Sequence, residues 1–162
     1  MTRLATVLFC LLLAACARPV PPDTAFRNPA VPISSIALFE PARLDGAWRE
    51  VAGYGLGRPC AGDGLVFSAS GARLDGTACY LPLGPGTALS PSGPGRLRTG
   101  GGAELWVLWV DADYRTLVLG TPSGSFAAVL NRGGPIPEDR LTAARKVLAF
   151  NGYDPSRLEI AR

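Results

Sequence analysis

Residues Glu104–Val110 read ELWVLWV, and residues 126–131 read FAAVLN. Both are short runs of aromatic, β-branched and small apolar residues, the composition of strands. A strand with one face on a core and one face in water alternates apolar with polar. These two do not alternate, so both of their faces must be covered. A barrel interior covers one face and the other needs a lid. The segment PEDRLTAARKVLAFNG, residues 137–152, supplies it. Pro137 suits a first helical turn, Glu138 and Asp139 suit the positive end of the helix dipole, and Gly152 suits the stop. Leu141, Ala144, Val147 and Leu148 form the apolar stripe.

Working outward from this pair, strands are expected at 46–54, 65–70, 73–81, 87–90, 96–99, 104–110, 116–120 and 126–131. Gly, Pro, Ser and Asp separate them, and Asp111 and Asp113 read as turn residues. Short strands at roughly ten-residue spacing specify an all-β protein, an up-and-down barrel or a sandwich. The lid decides between them. The expected fold is an eight-stranded up-and-down antiparallel β-barrel with one C-terminal α-helix packed outside. Seven glycines and four prolines fall in residues 82–102, which leaves the strand registers there open.

The N-terminus has a different grammar. Arg3 precedes an apolar run, residues 4–13, too short to span a bilayer stably. The run closes on LAAC, Leu13-Ala14-Ala15-Cys16, which resembles the lipobox of bacterial lipoproteins, where the cysteine thiol receives diacylglycerol. The alternative is a plain secretory signal with an accidental cysteine. On the lipobox reading residues 1–15 are a signal peptide and Cys16 is the acylated N-terminus. Residues 16–37, rich in Pro and small residues, then form a flexible tether, and 38–162 the domain. No Asp follows the cysteine, which favours the outer membrane, with the domain facing the periplasm.

Cysteine usage follows. Cys10 leaves with the signal and Cys16 is acylated, so Cys60 and Cys79 remain in an oxidising compartment and are expected to pair. Closing a loop of about twenty residues is worth roughly 3 kcal/mol in the chain-entropy model. A redox or metal pair fits less well, since the spacing is not C-x-x-C and the chain has no histidine. No cofactor or metal is expected.

Gly46-Ala47-Trp48 at the first strand, Asp113-Tyr114 after the sixth and Arg132 closing the eighth resemble the three short motifs of the lipocalins. VDADYRTLVLGTPSGSFAAVLNR, residues 110–132, carries the closest likeness, and the tail NGYDPSRL is similar to that of the bacterial lipocalins, which are outer-membrane lipoproteins. The resemblance runs from about Leu44 to Leu158. It implies that Trp48 lies at the closed end of the barrel with Arg132 packed across it. Ala112 stands where the second motif usually has threonine, and Arg49 replaces the aromatic common after the tryptophan. Family register counted from Asp113-Tyr114 and Arg132 points Trp106, Leu108, Val110, Phe126, Ala128 and Leu130 into the barrel as ligand contacts. Phe67, Tyr80 and Tyr54 join them, and Leu105, Val107 and Trp109 face the helix.

Composition narrows the function. The formal net charge is +3 with no basic run, which excludes a nucleic-acid partner. With no histidine, a Ser-His-Asp or Cys-His arrangement cannot be built from this chain, so no enzyme is expected. The resemblance implies a small hydrophobic ligand in the barrel, a fatty acid or lysophospholipid, and the lipobox a membrane anchor. A small envelope barrel acting by protein contact, as inhibitor or assembly accessory, is the alternative. Oligomeric state is not legible.

Overall fold

The computed structural model describes residues 25–54, 64–67, 73–74 and 87–161. Its strands are β1 (Gly46–Tyr54), β2 (Gly64–Phe67), β3 (Arg73–Leu74), β4 (Thr87–Gly93), β5 (Arg96–Thr99), β6 (Glu104–Val110), β7 (Thr116–Gly120), β8 (Ala127–Asn131) and β9 (Glu159–Ile160). Helix α1 spans Glu138–Phe150, with Pro137 as its N-cap, and Gly152 takes φ +83° just past its end. Cys16, Cys60, Cys79 and Tyr80 lie outside the described residues, as does the side chain of Phe67.

The sheet order is β2-β1-β8-β7-β6-β5-β4-β3, with every pairing antiparallel. From β3 to β8 each strand neighbours its sequence neighbour, as β1 does β2, and β1 turns back to meet β8, the step by which an up-and-down sheet curls into a barrel. Among the described residues no ladder joins β2 to β3. The short β9 adds to β1 at Ala52 and Gly53, beyond the reach of the β1–β2 ladder.

Two apolar cores result, one on each face of the sheet. The interior core holds Trp48, Leu89, Leu97, Leu105, Val107, Val110, Leu117, Leu119, Phe126, Ala128 and Leu130. The outer core joins Leu108, Val118, Ala127 and Val129 to Ala144 and Leu148 of the helix. The doubly apolar runs are therefore explained: β8 is buried at every position, as is β7 beside it, and β6 is buried or half-buried throughout.

Bulges decide which residues face which core. In the β6–β7 ladder Val107 opposes Leu119 while Trp109 opposes Val118, so one extra residue sits between them. Alternation counted backward from Tyr114 is correct at Val110 and inverted beyond the bulge. The inward expectation for Trp106 and Leu108 is thus corrected: both belong to the outer side, and Leu105 and Val107 fill the interior. A second bulge between Glu50 and Ala52 does the same to β1. Tyr54, expected inside, lies in the outer core against Phe26 and Tyr153. Phe126, Ala128, Leu130 and Val110 are in the interior core, and Trp109 faces outward.

The tether expected over 16–37 is also corrected, because residues 25–37 are fastened to the domain. The Phe26 N–H donates to Gly124 O (2.8 Å), Asn28 N–H to Gly152 O (2.8 Å) and Ile36 N–H to Val107 O (2.9 Å). Arg27, 7% exposed, gives its guanidinium to the carbonyls of Asn151, Pro122 and Val31. Such a set satisfies backbone carbonyls at the C-terminal end of α1 and the β7–β8 turn, which neutral side chains there leave open. Proline content alone suggested a free linker; the anchoring groups are single residues within it.

Candidate functional site

One end of the barrel is plugged by the motif residues. Gly46 takes φ +104°, a conformation favouring glycine, and starts β1 so that Trp48, 1% exposed, points to the axis. The Trp48 indole N–H donates to Leu44 O (2.8 Å) in the 3-10 turn Pro41–Leu44. Above the ring sits Arg132, with its guanidinium carbon 4.1 Å from the ring centroid. Arg132 Nη2 also donates to Arg43 O (2.9 Å) and Asp45 O (2.8 Å). Burial pulls this guanidinium below its ordinary pKa, opposed by the nearby Asp45 carboxylate. Its Nε is buried with no acceptor among the described residues.

The second motif forms the next layer. Asp111 Oδ1 accepts from the backbone of Arg115 and Thr116 (both 2.6 Å), which closes the β6–β7 turn. Asp113 is exposed in that turn, whereas Tyr114, at φ +55°, folds its ring into the interior core. Tyr114 Oη accepts from Glu40 N–H (3.0 Å), and Arg43 lies 3.9 Å over the ring. Asp111 Oδ2 meets Arg140 of α1 at 3.5 Å, linking helix and plug.

Among the described residues the inner face above the plug is largely apolar, but it also carries a buried carboxylate. Glu50 pairs with Leu130, which pairs with Leu117, so all three share the inner face. Glu50 is 5% exposed, and its carboxylate occupies the space over Gly53 where any larger residue would collide. Glu50 was not expected as a site residue. The signal for it was its parity with Trp48, two residues earlier.

The opposite end is braced from outside. Tyr153 Oη lies 2.9 Å from both Thr121 O and Phe126 O, which share its one hydrogen, and accepts from Thr121 N–H at 2.9 Å. The row Trp106, Gly120, Ala127, Tyr54 runs across the outer face beneath it. A methyl at Gly120 would stand 2.8 Å from Tyr153 Oη and 2.9 Å from Leu108 Cδ1, so only glycine lets the tyrosine lie this close. Burial pushes the Tyr153 phenol up. Tyr54, whose Oη donates to Asp154 O (2.9 Å), is raised by burial first and by the Asp154 charge second.

This architecture recurs among solved structures. It is similar to the solution structure of protein lipocalin 12 from rat epididymis, with a TM-score of 0.61 and 12% identity over 83% of this chain and 92% of that one. It is also similar to apocrustacyanin C2, with a TM-score of 0.52 and 16% identity over 74% of this chain and 77% of that one. Residues 97–162 match the family model for the lipocalin-like domain. The chain has the lipocalin fold. No curated protein matches it significantly by sequence. In this lipocalin fold the three motifs meet at one end, and Trp48 and Arg132 stack as the resemblance implied. Phe126, Ala128, Leu130 and Val110 line the interior, while Trp106, Leu108 and Tyr54 brace it from outside.

Proposed function

We propose that this protein is an outer-membrane lipocalin, anchored through acylated Cys16, that binds a small hydrophobic molecule inside its barrel. The ligand class is a fatty acid or lysophospholipid. The observation that carries the reading is the apolar inner face: it is closed at one end by Trp48 and Arg132 and lined upward by aliphatic side chains. Burying an acyl chain against such a wall gains about 0.8 kcal/mol per methylene. The work is binding rather than catalysis, since the chain has no histidine to act as a base and the interior core is overwhelmingly of apolar side chains. Cys60 and Cys79 are proposed to pair in the periplasm. Mass spectrometry of lipids that co-purify with the delipidated domain tests the reading. A bound fatty acid or lysophospholipid in stoichiometric amount supports it, and a lipid-free domain from lipid-rich lysate counts against it.

A further inference from the structure

Helix α1 buries one face and leaves the other to solvent. Ala144 and Leu148 pack against the sheet, whereas Arg145, Lys146, Ala149 and Phe150 are exposed. Phe150 is 73% exposed, and among the described residues only Leu38, at 88%, is a more exposed large apolar side chain. Lys146 stands four residues before Phe150, on the same side of the helix. Residues 28–34 pass beside the end of α1: Asn28 N–H donates to Gly152 O (2.8 Å), Ser34 N–H to Asn151 Oδ1 (2.7 Å), and a methyl at Gly152 would stand 2.9 Å from Val31 Cβ. Pro29, Ala30 and Pro32 are exposed along that pass. The helix end and the segment beside it thus present apolar side chains that the domain's own packing does not use.

The charges around this surface are unequal. Among the described residues, Arg27, Arg145, Lys146 and Arg157 stand at this end against Asp154 and Glu159. Hydrogen bonds from Ser156 hold the Asp154 carboxyl below its ordinary range, so it counts as a full negative charge. Four cations against two carboxylates still leave a positive surplus. Glu138 and Asp139 open the same helix, about 18 Å from Phe150 at ~1.5 Å per residue. An exposed ring beside a cation, on a net positive surface, suits a lipid headgroup layer: the ring reaches the acyl boundary and the cations meet anionic headgroups. A protein partner fits less well, because lysine is depleted at the core of protein interfaces and Lys146 stands one turn from the ring.

We infer that the outer face of α1 around Lys146 and Phe150 rests on an anionic bilayer surface. One lysine near such a surface shifts a population about fivefold, too little to capture a free domain and enough to settle an anchored one. The inference therefore rests on the acylated Cys16 to hold the protein at the membrane, and not on what the barrel binds. The test is hydroxyl-radical footprinting of the full acylated protein on vesicles of phosphatidylethanolamine and phosphatidylglycerol. The unacylated chain in buffer is the reference. Oxidation of Phe150 is expected to fall about threefold or more on the vesicles, with Leu38 unchanged. Lys146→Glu, at an exposed position, should return most of the Phe150 reactivity. Phe150 as reactive on floating vesicles as in buffer overturns the docking and leaves the anchor standing. Equal protection of Leu38 and Phe150 overturns it too, since the face is then not the one that binds. Protection of Phe150 in buffer that grows with protein concentration assigns the face to a second copy and overturns the membrane. A protein that fails to float with the vesicles overturns the anchor, and the docking with it.

Discussion

The Arg132 guanidinium lies 4.1 Å over the Trp48 ring and donates to the carbonyls of Arg43 and Asp45. One side chain thus joins the last barrel strand, the first, and the 3-10 turn that precedes it. A stacked cation contributes about 0.5–2 kcal/mol, and each hydrogen bond about 1 kcal/mol net. Arg132→Ala is expected to lower the stability to urea by about 2–3 kcal/mol. Arg132→Lys recovers only part, because an ammonium cannot span both carbonyls while lying flat on the ring.

Tyr153→Phe removes a hydroxyl that serves Thr121 N–H, Thr121 O and Phe126 O at once. Thr121 N–H and Phe126 O also bond to each other (3.1 Å) and Thr121 O accepts from Gly124 N–H (2.9 Å), so each group loses one of two partners, for a cost of about 0.5–1.5 kcal/mol. Amide exchange at Thr121 should rise further than exchange in the helix. Gly120→Ala works on the same contact from below and is expected to cost about 1–3 kcal/mol by overpacking.

Alkaline pH acts through the same residues. Tyr54 and Tyr153 are held protonated above the ordinary phenol range, chiefly by burial. Unfolding returns them to about 10. Stability is therefore fully present below about pH 10 and declines as pH rises above it, since the unfolded chain then binds fewer protons. Urea midpoints across this range check the slope, which Tyr54→Phe should make shallower.

The bulge in β6 predicts opposite outcomes at adjacent positions. Val107→Asp places a charge in the interior core and is expected to unfold the domain or cost more than about 3 kcal/mol. Trp106→Gln loses a half-buried ring stacked by Arg96 at 4.1 Å and its indole N–H bond to Glu104 (3.0 Å), a cost of about 1–2 kcal/mol. Circular dichroism melts of the two variants separate the assignments. Equal costs would return Trp106 to the inside.

Much of this was legible before the fold was seen. Two-sided apolarity in β6 and β8 required a barrel face and a lid, and the stripe from Leu141 to Leu148 was that lid. Trp48 and Arg132 were legible as a pair because motif order places both at one end. Facing failed at Trp106, Leu108 and Tyr54, because a bulge changes parity without a marker in the residues around it. The docking of residues 25–37 was hidden for another reason. Arg27 and Phe26 are single side chains whose acceptors and partners lie near residues 54, 122 and 151, and no local period announces such contacts.

The apolar inner wall above Trp48 is proposed to hold an acyl chain. Titrating the delipidated domain with a fluorescent fatty acid, followed by displacement with lysophosphatidylcholine, tests it most directly. Saturable binding at one site per chain, reversed by the competitor, is expected. A linear, non-saturating signal that the competitor does not change would contradict it.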